Sequence, residues 1–231
     1  MKQNYSRVWL YLFWIALSAE LLAILFDIPF ARFLTKPLLM IGLAAWYLSQ
    51  PLPDRKAGGS LITIALIFSW LGDVFLLFES RVPLFFIIGL SSFLLAHIFY
   101  IIYFNRLRQN SSIPFSWVWI IPVAVYLVLF MKLLQPGLGA LTWPVRIYGL
   151  TICLMLFTAI QLIYGSHKKA AWMMLAGALL FVLSDSLLAI NKFYQSFPLS
   201  GFCIMFTYGV AQLLIVTGAV AHYRVYTRQV L

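Results

Sequence analysis

Charged residues are scarce in this sequence. They make up 10% of its 231 residues, whereas hydrophobic residues make up 64%. A soluble domain has about 25% charged and about 45–50% apolar residues. So much apolar surface cannot be hidden in a water-soluble core, which excludes an ordinary soluble enzyme or binding domain. We predict a single integral membrane domain, residues 1–231, with little mass outside the bilayer.

Acidic side chains are scarcer still, at 6 against 16 Lys and Arg, for a net charge of +10. In a soluble protein this excess would suggest nucleic-acid binding. Here the bases lie in short segments beside apolar runs, where membrane topology and anionic lipid head groups explain them better. We therefore expect no nucleic-acid partner. Both cysteines, Cys153 and Cys203, lie in apolar runs and indicate buried hydrophobic positions, not a disulfide framework.

Common catalytic and nucleotide-binding motifs are absent. The sequence has no GxSxG, HExxH, Walker or GxGxxG pattern, which argues against the enzymes and nucleotide-binding proteins that these motifs define. The spacing of Asp73, His97 and Asp185 does not by itself define a metal site. We predict no metal and no cofactor.

Long apolar runs dominate what is present. Lipid offers the backbone no hydrogen-bond partners, so such runs must be helical, at about 20 residues each. Ala16-Leu17-Ser18 resembles a signal-peptide cleavage site, but the run continues to Phe26 and favours an uncleaved helix. We predict an all-α, polytopic membrane helix bundle, with connections at 27–29, 51–54, 135–137 and 166–169. Its eight or so transmembrane helices are predicted at 8–26, 36–48, 61–78, 82–104, 115–134, 143–164, 170–190 and 201–222.

The basic residues predict an orientation. With eight spans both termini lie on one side, and ten of the 16 bases fall on that side. Since basic loops stay in the cytoplasm, we expect cytoplasmic termini, in the inner membrane of a bacterium. The third and seventh spans share an Asp within similar aliphatic runs, which suggests a four-plus-four parallel repeat. Chance similarity of apolar segments is the alternative.

Two carboxyl groups lie inside apolar runs: Asp73 in the run 68–78 and Asp185 in the run 181–189. An ionisable residue at such depth predicts a functional site. The structural alternative is an interhelical hydrogen bond or ion pair. Glu20 is predicted in the same outer half of the membrane, and Lys36, which we expect to open the second span, is the obvious counter-charge. Glu20 is thus either a site residue or the partner of Lys36.

Other polar side chains could line a cavity around these acids. His97 lies in the fourth span, with Tyr100 one turn further on the same face. Tyr208 and Gln212 are spaced i, i+4 in the eighth span, and Asn191 lies at the end of the seventh. For these residues, interhelical hydrogen bonding and packing are the alternatives to a direct functional role.

Five segments carry a family resemblance. In chain order they read TKPLLM from Thr35, GDVFLL from Gly72, HIFY from His97, SDSLLA from Ser184 and YGVAQLLI from Tyr208. Together they resemble the YhhN family of membrane proteins, whose characterised eukaryotic members are lysoplasmalogenases. The resemblance implies an eight-helix fold and hydrolysis of the vinyl ether bond of a lysoplasmalogen, giving a fatty aldehyde and a glycerophospho-base. It implies site positions at Lys36, Asp73, His97 and Asp185.

The same residues suit that chemistry. Protonation of a vinyl ether at its β-carbon leaves an oxocarbenium ion, which water attacks before the hemiacetal collapses. Two carboxyls sharing one charge stabilise a related cation in glycosidases. We predict that Asp73 and Asp185 form an acid/base pair, in either order. Lys36 would hold the lipid phosphate, and His97 and Tyr100 would orient a carboxyl or the water.

Three alternatives remain open at this level. A small proton-coupled transporter would also use intramembrane acids and a repeat. A non-catalytic scaffold would use the helices for assembly with other membrane proteins. A hydrolase of a different lysolipid, an ester or an amide, would use the same pocket.

Overall fold

The computed structural model describes residues 2–51 and 59–230, with side chains described for 7–51 and 59–224. The predicted connection at 51–54 therefore lies, after Pro51, outside the described residues. Regular structure in the described residues is helical, without strands, which confirms the all-α class. Its α-helices are α1 (Lys2–Leu25), α2 (Pro29–Ser49), α3 (Gly59–Leu76), α4 (Leu84–Asn110), α5 (Ile120–Leu138), α6 (Thr142–Gln161), α7 (Lys168–Phe193) and α8 (Ser200–Val230).

Six stretches of the described residues are long and apolar enough to cross a membrane. One of them, Ile120–Tyr164, contains both α5 and α6, and α2 is not among the six. The chain is therefore an integral membrane protein with several spans. Eight spans and a four-plus-four repeat remain predictions. The six stretches are Arg7–Leu25, Gly59–Leu76, Leu84–Asn110, Ile120–Tyr164, Lys168–Phe193 and Ser200–Arg224.

The second helix begins earlier than predicted. It starts at Pro29, in the first helical turn, where the fixed φ of proline suits a helix and its missing N–H costs no hydrogen bond. Asp27, with φ of 50°, turns the chain between α1 and α2. The helix therefore begins before Lys36, the residue at which we expected the second span to open. Lys36 lies two turns inside α2 and is only 6% exposed.

The connection predicted at 135–137 also lies inside a helix. Residues 135–137 belong to α5, which includes Pro136 and ends at Leu138. Gly139 ends it with φ of 50° and ψ of −127°, a conformation that residues with a side chain rarely adopt. Proline close to a helix C-terminus removes only one intrahelical hydrogen bond, and continuing the helix keeps the neighbouring backbone groups satisfied.

The chain divides into two compact units. The first unit comprises Met1–Tyr100 and Ala219–Leu231. In it α1 packs against α2, and α2 against α3. The α1–α2 contact is close at Gly42, where an added Cβ would lie 3.3 Å from the Phe13 backbone nitrogen. At the other end of α2, Gln50 Oε1 accepts a hydrogen bond of 2.6 Å from Arg224 in α8.

The second unit comprises Ile101–Gly218. In it α5, α6 and α7 pack against one another. The N-terminal part of α8 packs on α7 across Gly177, where an added Cβ would lie 2.7 Å from the Ala211 carbonyl oxygen. Before α5, the Ser116 backbone N–H and C=O both bond the side-chain amide of Gln161, at 2.8 and 3.0 Å. The unit is therefore a group of tightly packed helices with few loops.

Candidate active site

Lys36 and Asp73 form an ion pair in the first unit. Lys36 Nζ on α2 lies 3.7 Å from Asp73 Oδ1 on α3. The two residues are 6% and 1% exposed. A charge removed from water this completely needs a partner of opposite sign. The prediction that Lys36 is a counter-charge for an intramembrane acid is therefore correct for Asp73.

Glu20 has a different partner from the one considered in the sequence. Its carboxylate, which is fully buried, accepts a hydrogen bond of 3.0 Å from Arg32 Nε and one of 2.5 Å from Thr35 Oγ1. The pairing of Glu20 with Lys36 was thus wrong, because the early start of α2 brings Arg32 onto the helix and next to α1. Sequence reasoning missed Arg32 and Thr35, although their spacing before Lys36 places all three within two turns of one helix.

Close helix packing surrounds Asp73. Its neighbour Gly72 faces the ring of Phe93 on α4, and an added Cβ would lie 2.6 Å from that ring. His97 and Tyr100, also on α4, are fully buried in the first unit. The predicted orienting role of His97 and Tyr100 remains a prediction.

Asp185 lies in the second unit, beside a small cavity. Tyr148 on α6 donates a hydrogen bond of 2.5 Å to Asp185 Oδ2 on α7. The cavity has a volume of about 40 Å³ and an otherwise mostly apolar wall. That is room for a few water molecules at most. The carboxyl group is therefore held at a fixed orientation beside a space that water or one reacting group could enter.

Two further hydroxyl groups, those of Tyr126 and Ser186, line the same cavity. Tyr126 on α5 and Ser186 on α7 are 2.5 Å apart, and Ser186 Oγ also lies 2.5 Å from the Val182 carbonyl oxygen. A carbonyl oxygen can only accept, so the single Ser186 proton goes to Val182 and Tyr126 is the donor to Ser186. The two tyrosines of this cavity thus have different acceptors: a carboxyl for Tyr148 and a serine hydroxyl for Tyr126.

Sequence reasoning did not find Tyr148 or Tyr126. A tyrosine in an apolar span carries no signal of its hydrogen-bond acceptor, and Tyr148 is 37 residues from Asp185. Ser186 was part of the motif at Ser184, but its role was not predicted.

The remaining predicted site residues are placed as follows. Tyr208 packs edge-on against Phe181, with ring centroids 5.5 Å apart, and Gln212 is fully buried one turn further. Asn191 is partly buried in the last turn of α7. No group of three or more His, Cys, Asp or Glu side chains that could hold a metal occurs in the described part of the chain. Asp73 and Asp185 belong to different units, and their predicted pairing remains a prediction.

Comparison with known proteins places the chain in a family. The YhhN family model matches residues 31–219. The chain belongs to the YhhN family. Human lysoplasmalogenase TMEM86A is 35% identical over 173 residues, covering 71% of this chain and 69% of that protein. Human lysoplasmalogenase TMEM86B is 32% identical over 187 residues, covering 79% and 72%. None of the solved structures matches the chain significantly.

Membership of the YhhN family bears on the predicted site. The matched range contains eight of the nine predicted site residues and leaves out only Glu20. It also contains Tyr148 and Tyr126, which only the structure associates with Asp185. The two ion pairs and the Asp185 cavity therefore lie mostly in the part of the chain that defines the family.

Proposed function

We propose that this YhhN protein is an intramembrane lipid hydrolase. It cleaves the vinyl ether bond of a lysoplasmalogen-type lysophospholipid to a fatty aldehyde and a glycerophospho-base. Two human relatives named lysoplasmalogenase, at 35% and 32% identity, support this activity. The observation that carries the mechanism is the Asp185 carboxyl group, held by Tyr148 beside a small and mostly apolar cavity.

The reaction needs one acid and one base. A proton is transferred to the vinyl carbon distant from the ether oxygen, and the positive charge is then shared by the other vinyl carbon and the oxygen. Water adds to that carbon and loses a proton to a carboxylate. The resulting hemiacetal breaks its bond to the glycerol oxygen, which leaves as an alcohol as the aldehyde forms. General acid–base catalysis of such steps contributes about 10²–10⁴-fold.

Asp185 is our candidate for the acid. Its Oδ2 accepts the Tyr148 hydrogen bond, so in this proposal Oδ1 carries the proton that is transferred. Tyr148 is then a positioning residue, since it acts through Asp185. Asp73 is our candidate for the carboxylate that stabilises the cation and takes the proton from water. Its negative charge is compensated by Lys36 at 3.7 Å. We retain the prediction that the two Asp residues act as a pair.

The other predicted residues have supporting roles in this proposal. His97 and Tyr100 orient a carboxyl group or the water, as expected from the sequence. Tyr208, Gln212 and Asn191 hold neighbouring helices together. The contacts of Glu20 with Arg32 and Thr35 support a structural role in joining α1 to α2.

Aldehyde release from a defined alkenyl lysophospholipid tests the proposal. The purified wild type in detergent is compared with Asp73→Asn and Asp185→Asn, each shown by size-exclusion chromatography to be folded. We expect each variant to lose at least about 100-fold in kcat. Folded variants that still release aldehyde at the wild-type rate would refute the assignment. Proton-driven uptake by proteoliposomes without aldehyde release would support the transporter instead, and release of a fatty acid would indicate an ester-type lysolipid.

A further inference from the structure

A groove runs along the outer surface of the α5–α6 pair in the second unit. It has a volume of about 630 Å³, and its wall is apolar apart from Lys132, Gln135 and Arg146. Lys132 and Gln135 lie on α5 and Arg146 lies on α6, so both helices contribute polar groups to the groove. We call this feature the α5–α6 groove.

The charge of the second unit favours an anion in this groove. Residues 101–218 contain a single carboxyl side chain, Asp185. Lys132 and Arg146 are exposed, and neither forms an ion pair with a carboxylate among the described residues. Seven basic residues accompany that one acid: Arg106, Arg108, Lys132, Arg146, Lys168, Lys169 and Lys192.

Arg146 is held in position for binding. Its Nη2 donates a hydrogen bond of 2.6 Å to Gln135 Oε1, and its guanidinium lies 5.4 Å from the centre of the Trp143 ring. These contacts restrict the side chain and leave other guanidinium N–H groups for a ligand. A planar guanidinium and a mobile ammonium group together suit a phosphate, which accepts several charge-assisted hydrogen bonds.

The groove adjoins the Asp185 cavity. Both are lined by Leu127 and Met131 on α5. On the α6 side of this wall is Gly149, where an added Cβ would lie 2.8 Å from Met131 Cε. The flexible Met131 side chain therefore occupies the gap that Gly149 leaves between the helices. A methionine has three rotatable side-chain bonds, so a rotamer change of Met131 would displace part of this wall.

Arg146 and Tyr148 lie at similar heights on different faces of α6, one lining the groove and the other the Asp185 cavity. Arg146 precedes Tyr148, the partner of Asp185, by two residues, or about 3 Å along the helix axis. In a lysophospholipid a short glycerol backbone separates the phosphate from the chain-bearing oxygen. Because the groove and the cavity share Leu127 and Met131, a phosphate at Arg146 and Lys132 would leave the glycerol backbone and the vinyl ether next to Met131.

We propose that Lys132 and Arg146 bind the phosphate of the lysophospholipid substrate in the α5–α6 groove. This inference rests on the proposed function and assigns its substrate-binding site. It also replaces the sequence-based expectation that Lys36 holds the phosphate, because Lys36 is 6% exposed and paired with Asp73. The glycerol and the alkenyl chain then pass Met131 towards Asp185.

Binding of non-cleavable lipids tests this site separately from catalysis. The wild type and the double variant Lys132→Gln/Arg146→Gln are titrated in detergent, by native mass spectrometry, with a saturated alkyl lysophospholipid and with the matching phosphate-free alkylglycerol. We expect the double variant to bind the lysophospholipid at least about tenfold more weakly and the alkylglycerol within twofold of the wild type. Lys169→Gln, at an exposed lysine at the start of α7, is the matched control and should bind both lipids normally.

Kinetics give the second readout. With the alkenyl lysophospholipid, the double variant should raise KM by about tenfold and leave kcat within about twofold. Equal loss of binding for both lipids, or no loss for either, would overturn the phosphate site. Displacement of the lysophospholipid by millimolar inorganic phosphate would show that the groove takes free phosphate and would overturn the lipid assignment. The wild type could bind the lysophospholipid through Lys132 and Arg146 and yet release no aldehyde. That result would refute the hydrolase and leave the phosphate site supported.

Discussion

Lys36 Nζ on α2 lies 3.7 Å from Asp73 Oδ1 on α3, and neither residue is more than 6% exposed. Each charge is thus compensated by the other in a setting where water is excluded. Such a pair is costly to break on one side only, because the remaining charge stays buried without its partner.

Single and double substitutions of this pair should differ in stability. We expect Lys36→Met to lower the free energy of unfolding by about 3–5 kcal/mol, because the Asp73 carboxylate loses its counter-charge. Lys36→Met/Asp73→Leu should recover most of that loss, since the volume is kept and no charge remains buried. Denaturation of the purified proteins in detergent measures both. A double variant less stable than the single one would contradict the ion pair.

Tyr148 and Tyr126 provide a matched comparison at one cavity. Tyr148→Phe removes the hydrogen bond to Asp185 Oδ2, so we expect kcat for aldehyde release to fall by about tenfold or more with little change in KM. Tyr126→Phe removes only the bond to Ser186, so kcat should stay within about threefold. Steady-state kinetics, with melting temperatures as a check on folding, would distinguish the two. Equal losses in kcat would show that Tyr148 has only a packing role.

Glu20 should be needed for stability more than for activity. Glu20→Gln weakens its bonds to Arg32 and Thr35 and leaves the Arg32 charge without a carboxylate, while the side-chain volume is unchanged. We expect a loss of about 1–3 kcal/mol in the free energy of unfolding and kcat within about threefold of the wild type. A large fall in kcat in a folded Glu20→Gln protein would instead make Glu20 a site residue.

Two glycines at the end of α5 should respond differently to substitution by alanine. An added Cβ at Gly137 would overlap the Phe193 carbonyl oxygen at the end of α7, whereas at Gly139 it would meet nothing within 4 Å. Gly139→Ala should cost about 1–3 kcal/mol, because of its φ of 50° alone. Gly137→Ala should cost more, since α5 and α7 must move apart. Thermal unfolding ranks the two, and the reverse order would contradict the α5–α7 contact.

The helices were predictable because apolar runs next to lipid have one stable backbone conformation. The helix ends were less predictable. Pro29 and Gly139 decide where α2 begins and α5 ends, yet the sequence contains other prolines and glycines, such as Pro136 and Gly137, that lie inside a helix. Local turn signals compete with helix continuation, and packing decides between them.

The candidate site was predictable as a set of residues and much less as a set of contacts. An Asp in an apolar run is visible in any membrane sequence because its burial is so unfavourable. Which cation lies next to each buried acid depends on how α1, α2 and α3 are rotated and offset. This is why Arg32 was missed as the partner of Glu20. Tyr148 could not be assigned to Asp185 at all, because a hydroxyl group shows its acceptor only when two helices have been packed.

The sequence alone thus determined that this chain lies in a membrane, that it is helical, and that Asp73 and Asp185 are exceptional in it. These properties follow from transfer free energies, which depend on residue type and little on neighbours. The tertiary structure alone decided which charges compensate each other, which tyrosine holds Asp185 and that Lys132 and Arg146 flank one groove. Those relationships depend on distances of a few ångströms between helices, and hydrogen bonds and ion pairs form only within such distances.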